Sequence, residues 1–325
     1  MTAMTDVTSS SAERRAGPAR RTATTSRRTT RRGPRRGRSL LVELSMVVPA
    51  VVVFVALLVV PVGYAVYYSV TDYNGFPTQT PEFVGLDNYR RVFETSDITH
   101  TMVVTAIVAV VGSLLVNALA LSLALLLWRT TRLTAVARVV MFYPHVLSLI
   151  VVGFLWAAIL GPQGAVNSLL DSLGHSPFPF LSDKTWALGP LVCVIAWAQF
   201  GVQLLIYLAG LQAVPADLLE AARIDGASRW QTFRNVTWPA LAPSVTVALV
   251  TSMISLLKTY DVVVSLTGGG PAGSTKTFAY EILAVSFPKR QVGLASAEAV
   301  VLILVAAVLA FGVLALRRRS DEAAS

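Results

Sequence analysis

Apolar positions in this chain come in long unbroken runs, without the alternation of a half-buried strand. Six stretches, 46–68, 103–127, 139–160, 187–211, 244–264 and 294–316, are built almost wholly of Val, Leu, Ile, Ala, Phe and Gly. A helix rising 1.5 Å per residue needs ~20 such residues to cross a hydrocarbon core of ~30 Å. The pattern therefore predicts an all-α polytopic membrane protein with six spans. The first stretch carries no charge over 46–68 and ends at Tyr64, Tyr67 and Tyr68. It is too long for the apolar region of a cleavable signal, and its aromatic end suits an interfacial belt, so it reads as an uncleaved first span.

Composition agrees with this pattern. Of the 325 residues, 54% are hydrophobic and 14% charged, and the mean hydropathy is +0.63; soluble domains carry about 25% charge. A soluble enzyme, a secreted disulfide scaffold and a disordered regulator are all excluded. The single cysteine, Cys193, lies inside an apolar run and reads as a small core hydrophobe.

The formal charge of +9 is unevenly placed: residues 1–45 hold eleven arginines against Asp6, Glu13 and Glu43. This segment lacks the aromatic residues that stack on bases, so no nucleic-acid partner is expected. It reads as a disordered cytoplasmic tail able to touch anionic lipid. Lys and Arg concentrate on the cytoplasmic side of membrane proteins. With the amino terminus inside, that side receives the tail, Arg129, Arg132, Arg138, Arg223, Arg229, Arg234 and Arg317 to Arg319. Both termini are therefore expected in the cytoplasm, with 317–325 as a short second tail.

The segment from Thr267 to Thr277 is rich in glycine, but Ser274 and Thr275 separate Lys276 from the last glycine, and a phosphate loop needs them adjacent. His100, His145 and His175 are scattered. No catalytic residue, metal site or cofactor is expected.

The connection 212–243 is the informative one. Asp217 with Glu220 three residues on has the spacing of a capping box; Leu218, Leu219 and Ala222 supply an apolar face, and Gly226 a left-handed stop. Ser228 with Gln231 starts a second helix, Trp230, Phe233 and Val236 form its stripe, and Pro239 is expected to end it. Two short helices joined at a glycine elbow result. Acids beside the stripe disfavour an anionic membrane surface, so a protein groove is the expected partner.

Glu220-Ala221-Ala222-Arg223-Ile224-Asp225-Gly226, followed by Phe233, Pro239 and Pro243, resembles the EAA loop of binding-protein-dependent ABC importer permeases. Trp238 stands where that family usually has Leu. Residues 46–316 share further features with it: Phe83-Val84-Gly85-Leu86-Asp87-Asn88-Tyr89, Pro144, Trp156, Gly164, Asn167 and Thr267-Gly268-Gly269-Gly270-Pro271. The last is similar to the first permease subunit of carbohydrate systems. The resemblance implies the six-helix type I importer architecture and ATPase coupling through Glu220, Ala221, Ala222, Asp225 and Gly226. It also implies as partners a second permease subunit, two cytoplasmic ATPase subunits that hydrolyse the ATP, and an extracytoplasmic solute-binding protein.

Polar residues inside apolar spans are costly and mark pathways. Gln199 and Gln203 share one face of the fourth span; their amides suit sugar hydroxyls, and equally bonds between helices. In the fifth span Lys258 and Asp261 have the spacing to pair, with Lys258 also able to snorkel outward, and Tyr260 has the ring to stack on a sugar. Pro144 is expected to kink the third span beside His145, and Glu298, near the outer end of the last span, to be solvated. The leading reading is a permease subunit for carbohydrate import. The competing one is an ion-coupled secondary carrier of small polar solutes, which would want buried acids near the midplane.

Overall fold

The computed structural model describes residues 36–129, 131–286 and 288–324. The chain divides into two units, Met1–Phe54 and Val55–Ser325. In the first, α1 covers Arg36–Phe54 with Pro49 inside it. Most of the segment expected to be disordered, residues 1–35, lies outside the described residues; its last part, from Arg36, is already helical.

The second unit opens with a π-helical turn, Val55–Val59, directly before α2, Val60–Tyr68, which carries a proline in its first turn. A lone antiparallel bridge joins Thr71 to Phe83 before α3, Asp87–Glu94, and α4, Ser96–Leu127. Next come α5, Arg132–Val146; α6, Leu149–Leu160; α7, Ala165–Ser172; and α8, Leu188–Gln212. The connection that follows holds α9, Ala216–Ile224, and α10, Arg229–Thr232. Last are α11, Trp238–Leu257; α12, Asp261–Leu266; α13, Phe278–Ser286; and α14, Val292–Ala324. Among the described residues there is no strand, and six helical segments are long and apolar enough to cross a membrane.

The centre of the bundle is α8, packed against α4, α5, α6, α11 and α12. Toward one end Leu191, Ile195 and Ala198 of α8 meet Val104 and Val108 of α4, Leu256 of α11 and Val262 of α12. Toward the other, Leu204, Tyr207 and Leu211 meet Val116, Ala120 and Ala124 of α4 and Leu241 of α11. Without a hydrophobic driving force between helices in lipid, close approach depends on small residues. Ala120 and Ala124 serve this, as do Gly210, where a Cβ would strike Ser244, and Gly153, where a Cβ would strike Ser265 Oγ. Cys193 is on the exposed side of α8 rather than in the core. Large apolar side chains elsewhere, such as Leu57, Leu114, Val139 and Phe311, also face outward, as suits hydrocarbon.

Four segments depart from the expected boundaries. The stretch 139–160 is two helices: Pro144 lacks an amide hydrogen and crowds the carbonyl four residues back, α5 stops at Val146, and Leu147 and Ser148 are extended. The stretch 244–264 is also divided, because α11 ends at Leu257 and α12 starts at Asp261. Pro239 does not terminate a helix. A π-helical turn, Phe233–Thr237, joins α10 to α11 and leaves Pro239 in the first turn of α11, where its missing donor costs little. Helix is thus continuous from Arg229 to Leu257, and the second loop helix is the foot of the fifth span. At the other end α14 stays helical to Ala324, past the expected start of a tail at 317.

The α6–α12 crossing gives a test. Gly153→Leu should lower stability by about 1–3 kcal/mol through overpacking, read as a fall in thermal midpoint of the detergent-purified protein. Gly63→Leu, where the site is open, should leave that midpoint unchanged.

Candidate functional sites: a closed elbow and a polar seam

The elbow after α9 is closed by two sets of hydrogen bonds. Ala227 N–H donates to Ala222 O at 2.9 Å and Gly226 N–H to Arg223 O at 3.1 Å, the pair of bonds that defines a Schellman ending. Gly226 takes φ +73°, a left-handed angle that only glycine adopts freely. On the far side, Gln231 N–H donates to Ser228 Oγ at 3.3 Å and Ser228 N–H to Gln231 Oε1 at 2.7 Å. The expected Ser228–Gln231 capping box is present. The expected Asp217–Glu220 box is not, since α9 begins two residues earlier with Pro215 as its cap and Asp217 in its first turn. There the carboxylate favours the positive helix end without bonding to it.

Of the expected coupling residues, Glu220, Ala221, Asp225 and Gly226 are exposed and Ala222 is half-buried. Leu218 and Leu219 do not share a face. Leu219 lines a cavity beneath the elbow, whereas Leu218 is exposed and Ile224 is 80% exposed. One side of α9 therefore presents Leu218, Glu220, Ile224 and Asp225 with nothing over them.

Inside the bundle, Gln199 and Gln203 are both buried on α8. Gln199 Oε1 accepts from Ser255 Oγ at 2.8 Å, while Gln203 Oε1 has no partner. They belong to a longer polar seam. Asn117 Nδ2 donates to Ser252 Oγ at 2.8 Å and to Ser113 O at 2.7 Å, and Asn117 Oδ1 accepts from Tyr207 O–H at 2.8 Å. One asparagine thus ties α4, α8 and α11 together. Sequence reasoning found the glutamines but missed Asn117, Tyr207 and Ser252, although Asn117 is as polar and as deep in its run.

The proposed pair in the fifth stretch is absent: no ion pair joins Lys258 to Asp261 among the described residues. Lys258 caps α11 and is exposed, and half-buried Asp261 opens α12. The helix break at Lys258, Thr259 and Tyr260 removes the regular three-residue spacing on which that pairing relied. Tyr260 lies in the break with its ring 6.3 Å from that of Tyr280. Thr277 Oγ1 donates to Thr259 O at 2.7 Å and clasps the freed backbone.

Glu298 overturns the expectation of solvation. It is 0% exposed, and neither carboxylate oxygen has a hydrogen-bond partner, because α13 lies across α14 and covers it. Glu281 of α13 is also buried, but it accepts from Lys289 Nζ at 3.0 Å and lies 3.7 Å from Lys276 Nζ, which reaches Asp97 at 3.4 Å.

Several other notable positions are structural. Asn88 Nδ2 donates to the carbonyls of Ser69 and Thr71 at 3.0 and 2.8 Å. Asn167 Nδ2 donates to Gly161 O and Phe178 O, and its Oδ1 accepts from Phe178 N–H at 2.8 Å. Thr275 Oγ1 donates to Gly270 O at 2.8 Å, and Tyr280 O–H to Gly268 O at 2.8 Å. The glycine loop is thereby tied into a fixed turn. No group of three or more metal-ligating side chains forms among the described residues.

Residues 116–321 match the family described as binding-protein-dependent transport system inner membrane component. The chain is 30% identical over 263 residues to a probable starch degradation products transport system permease protein, AmyD, of Thermoanaerobacterium thermosulfurigenes, covering 81% of this chain and 89% of that one. It is 32% identical over 272 residues to the diacetylchitobiose uptake system permease protein NgcF of Streptomyces coelicolor, covering 79% and 77%. In fold it is similar to a chain of a bacterial alginate ABC transporter solved with an alginate pentasaccharide-bound periplasmic protein. The TM-score is 0.76 at 21% identity, covering 87% of this chain and 96% of the other. The chain belongs to the family of inner membrane components of binding-protein-dependent transport systems. It is a multi-pass permease subunit of the ABC importer type and not an enzyme.

The seam yields a second test. Asn117→Leu and Tyr207→Phe should each lower stability by about 0.6–1.7 kcal/mol. The double variant should lose less than their sum, because both remove the same bond; thermal melts of the four proteins measure this.

Proposed function

We propose that this chain is a carbohydrate-translocating permease subunit of an ATP-driven importer, with both termini in the cytoplasm. Its α9 elbow is the element gripped by an ATPase partner. The observation that carries this reading is the elbow: a short helix closed at its carboxyl end by a Schellman pair and a capping box, yet bare along Leu218, Glu220 and Ile224. An exposed helix held in one angle is suited to receive a push. The names of the curated relatives support a carbohydrate cargo, and the solved likeness supports a solute-binding protein as donor. A second, related permease subunit and two ATPase chains complete the assembly. Gln199 and Gln203 are the favoured path residues, since the free Oε1 of Gln203 is an acceptor for a sugar hydroxyl. Tyr260 is placed beside Tyr280 to stack on a ring; Lys258 and Asp261, unpaired, act separately.

One observation favours the ion-coupled alternative: Glu298, a buried carboxylate without a partner, is the kind of group that carries protons through membrane proteins. Uptake by proteoliposomes holding the complete complex separates the two. ATP-dependent uptake that survives a protonophore is expected. Uptake without ATP that a protonophore abolishes would establish the carrier instead.

Gly226→Val, which forces a β-branched residue to φ +73°, should uncouple transport. We expect at least about a tenfold loss of uptake and of ATPase stimulation, roughly 1.4 kcal/mol or more, with membrane insertion intact. Glu220→Lys should act in the same direction. Both rates at wild-type level in both variants would remove the coupling role.

A further inference from the structure

Beneath the elbow lies a cavity of about 510 Å³ between α9–α10 and the ends of α4 and α8. Its walls have two characters. Leu125, Leu211, Val214, Leu219 and Phe233 make an apolar side, and three arginines, Arg129, Arg223 and Arg229, bring positive charge. No carboxylate lines it. Among the described residues none of these three guanidiniums makes an ion pair or a side-chain hydrogen bond.

Their neighbour Arg138 shows the contrast. It donates to Leu127 O at 2.6 Å and Trp128 O at 3.2 Å and caps the end of α4. The acids of α9 do not neutralise the cavity. Leu219 and Arg223 are four apart and share its cavity face, and although Glu220 is only three residues before Arg223, no ion pair joins them among the described residues. Three exposed, unpaired arginines on the rim of one hollow give it a positive potential that an anion would find favourable.

We propose that this cavity binds the headgroup of an anionic glycerophospholipid. Arginine forks match phosphate oxygens in bidentate geometry. The apolar side receives the glycerol and the roots of the acyl chains, which a free phosphate does not possess. Depth supports the assignment too. The spans of α4 and α8 end at Leu127 and Gln212, so a hollow between those ends lies at headgroup level, where basic pockets collect anionic lipid. The bound lipid would brace the elbow from below, on the face opposite the one left bare. This inference goes beyond the transport reading and does not need it, because lipid retention is measured without ATP or sugar.

The test uses the full-length chain purified with its copurifying subunits and exchanged into nanodiscs of phosphatidylcholine with and without phosphatidylglycerol. Native mass spectrometry should find phosphatidylglycerol retained on the wild-type complex and roughly tenfold less on the Arg129→Gln, Arg223→Gln, Arg229→Gln triple variant. Leu219→Trp, which fills the apolar side and keeps all three charges, should expel the lipid as well; it guards against a triple variant that merely assembles badly. Equal retention in wild type and both variants would overturn the proposal. So would wild type without bound lipid, displacement by millimolar inorganic phosphate alone, or a crosslinker at position 223 that captures an ATPase chain in place of lipid.

Discussion

The fold depends on the need to surround α8. This helix carries Gln199, Gln203 and Tyr207 into surroundings where an unsatisfied polar group costs several kcal/mol, and the chain answers by placing a neighbour against each side of it. Asn117 from α4 takes the tyrosine hydroxyl, Ser255 from α11 takes the Gln199 amide, and Ser252 closes the link between those two neighbours. Dispersion alone would hold apolar helices together in many registers. These few directional bonds select one, and Ala120, Ala124 and Gly210 let the backbones approach closely enough for them to form.

Much of this was legible in the sequence because its signal is local. A run of apolar residues announces a span without knowledge of its neighbours, and Gly226 with Ser228 and Gln231 announces an elbow because each bond closes within six residues. What escaped depends on partners distant in sequence. The burial of Glu298 follows from α13 folding across α14, and the role of Asn117 from a serine 135 positions away. The break at Lys258 was hidden for a related reason: Thr259 loses its helical bonding but regains a partner from Thr277. Pro239 misled in the opposite sense. A proline usually marks a helix end, and here a π-helical turn precedes it and the helix runs on.

The two ends of the bundle solve different problems. At the end holding α3 and α13, buried Glu281 is neutralised by Lys289, and Lys276 spans it and Asp97, so that charge fastens α13 to α4 while apolar Val92, Phe278 and Leu294 fill the space beneath. At the elbow end Arg138 ties α5 to the end of α4, but among the described residues no ion pair forms: the arginines of the cavity stand unpaired and α9 is bare on its outer side. One end is locked by charge within the chain, and the other leaves the surface that the proposed partner and lipid would cover.

Uninterrupted helix from Arg229 to Leu257 makes the foot of the elbow and the far tip of the fifth span a single pushrod, ~43 Å long at 1.5 Å per residue. It bends most readily near its foot, where the π-helical turn Phe233–Thr237 is followed by Pro239 and Pro243. Under the proposed coupling, a tilt of α10 is shared between this foot and the three-residue gap at Lys258, Thr259 and Tyr260, where regular helix stops.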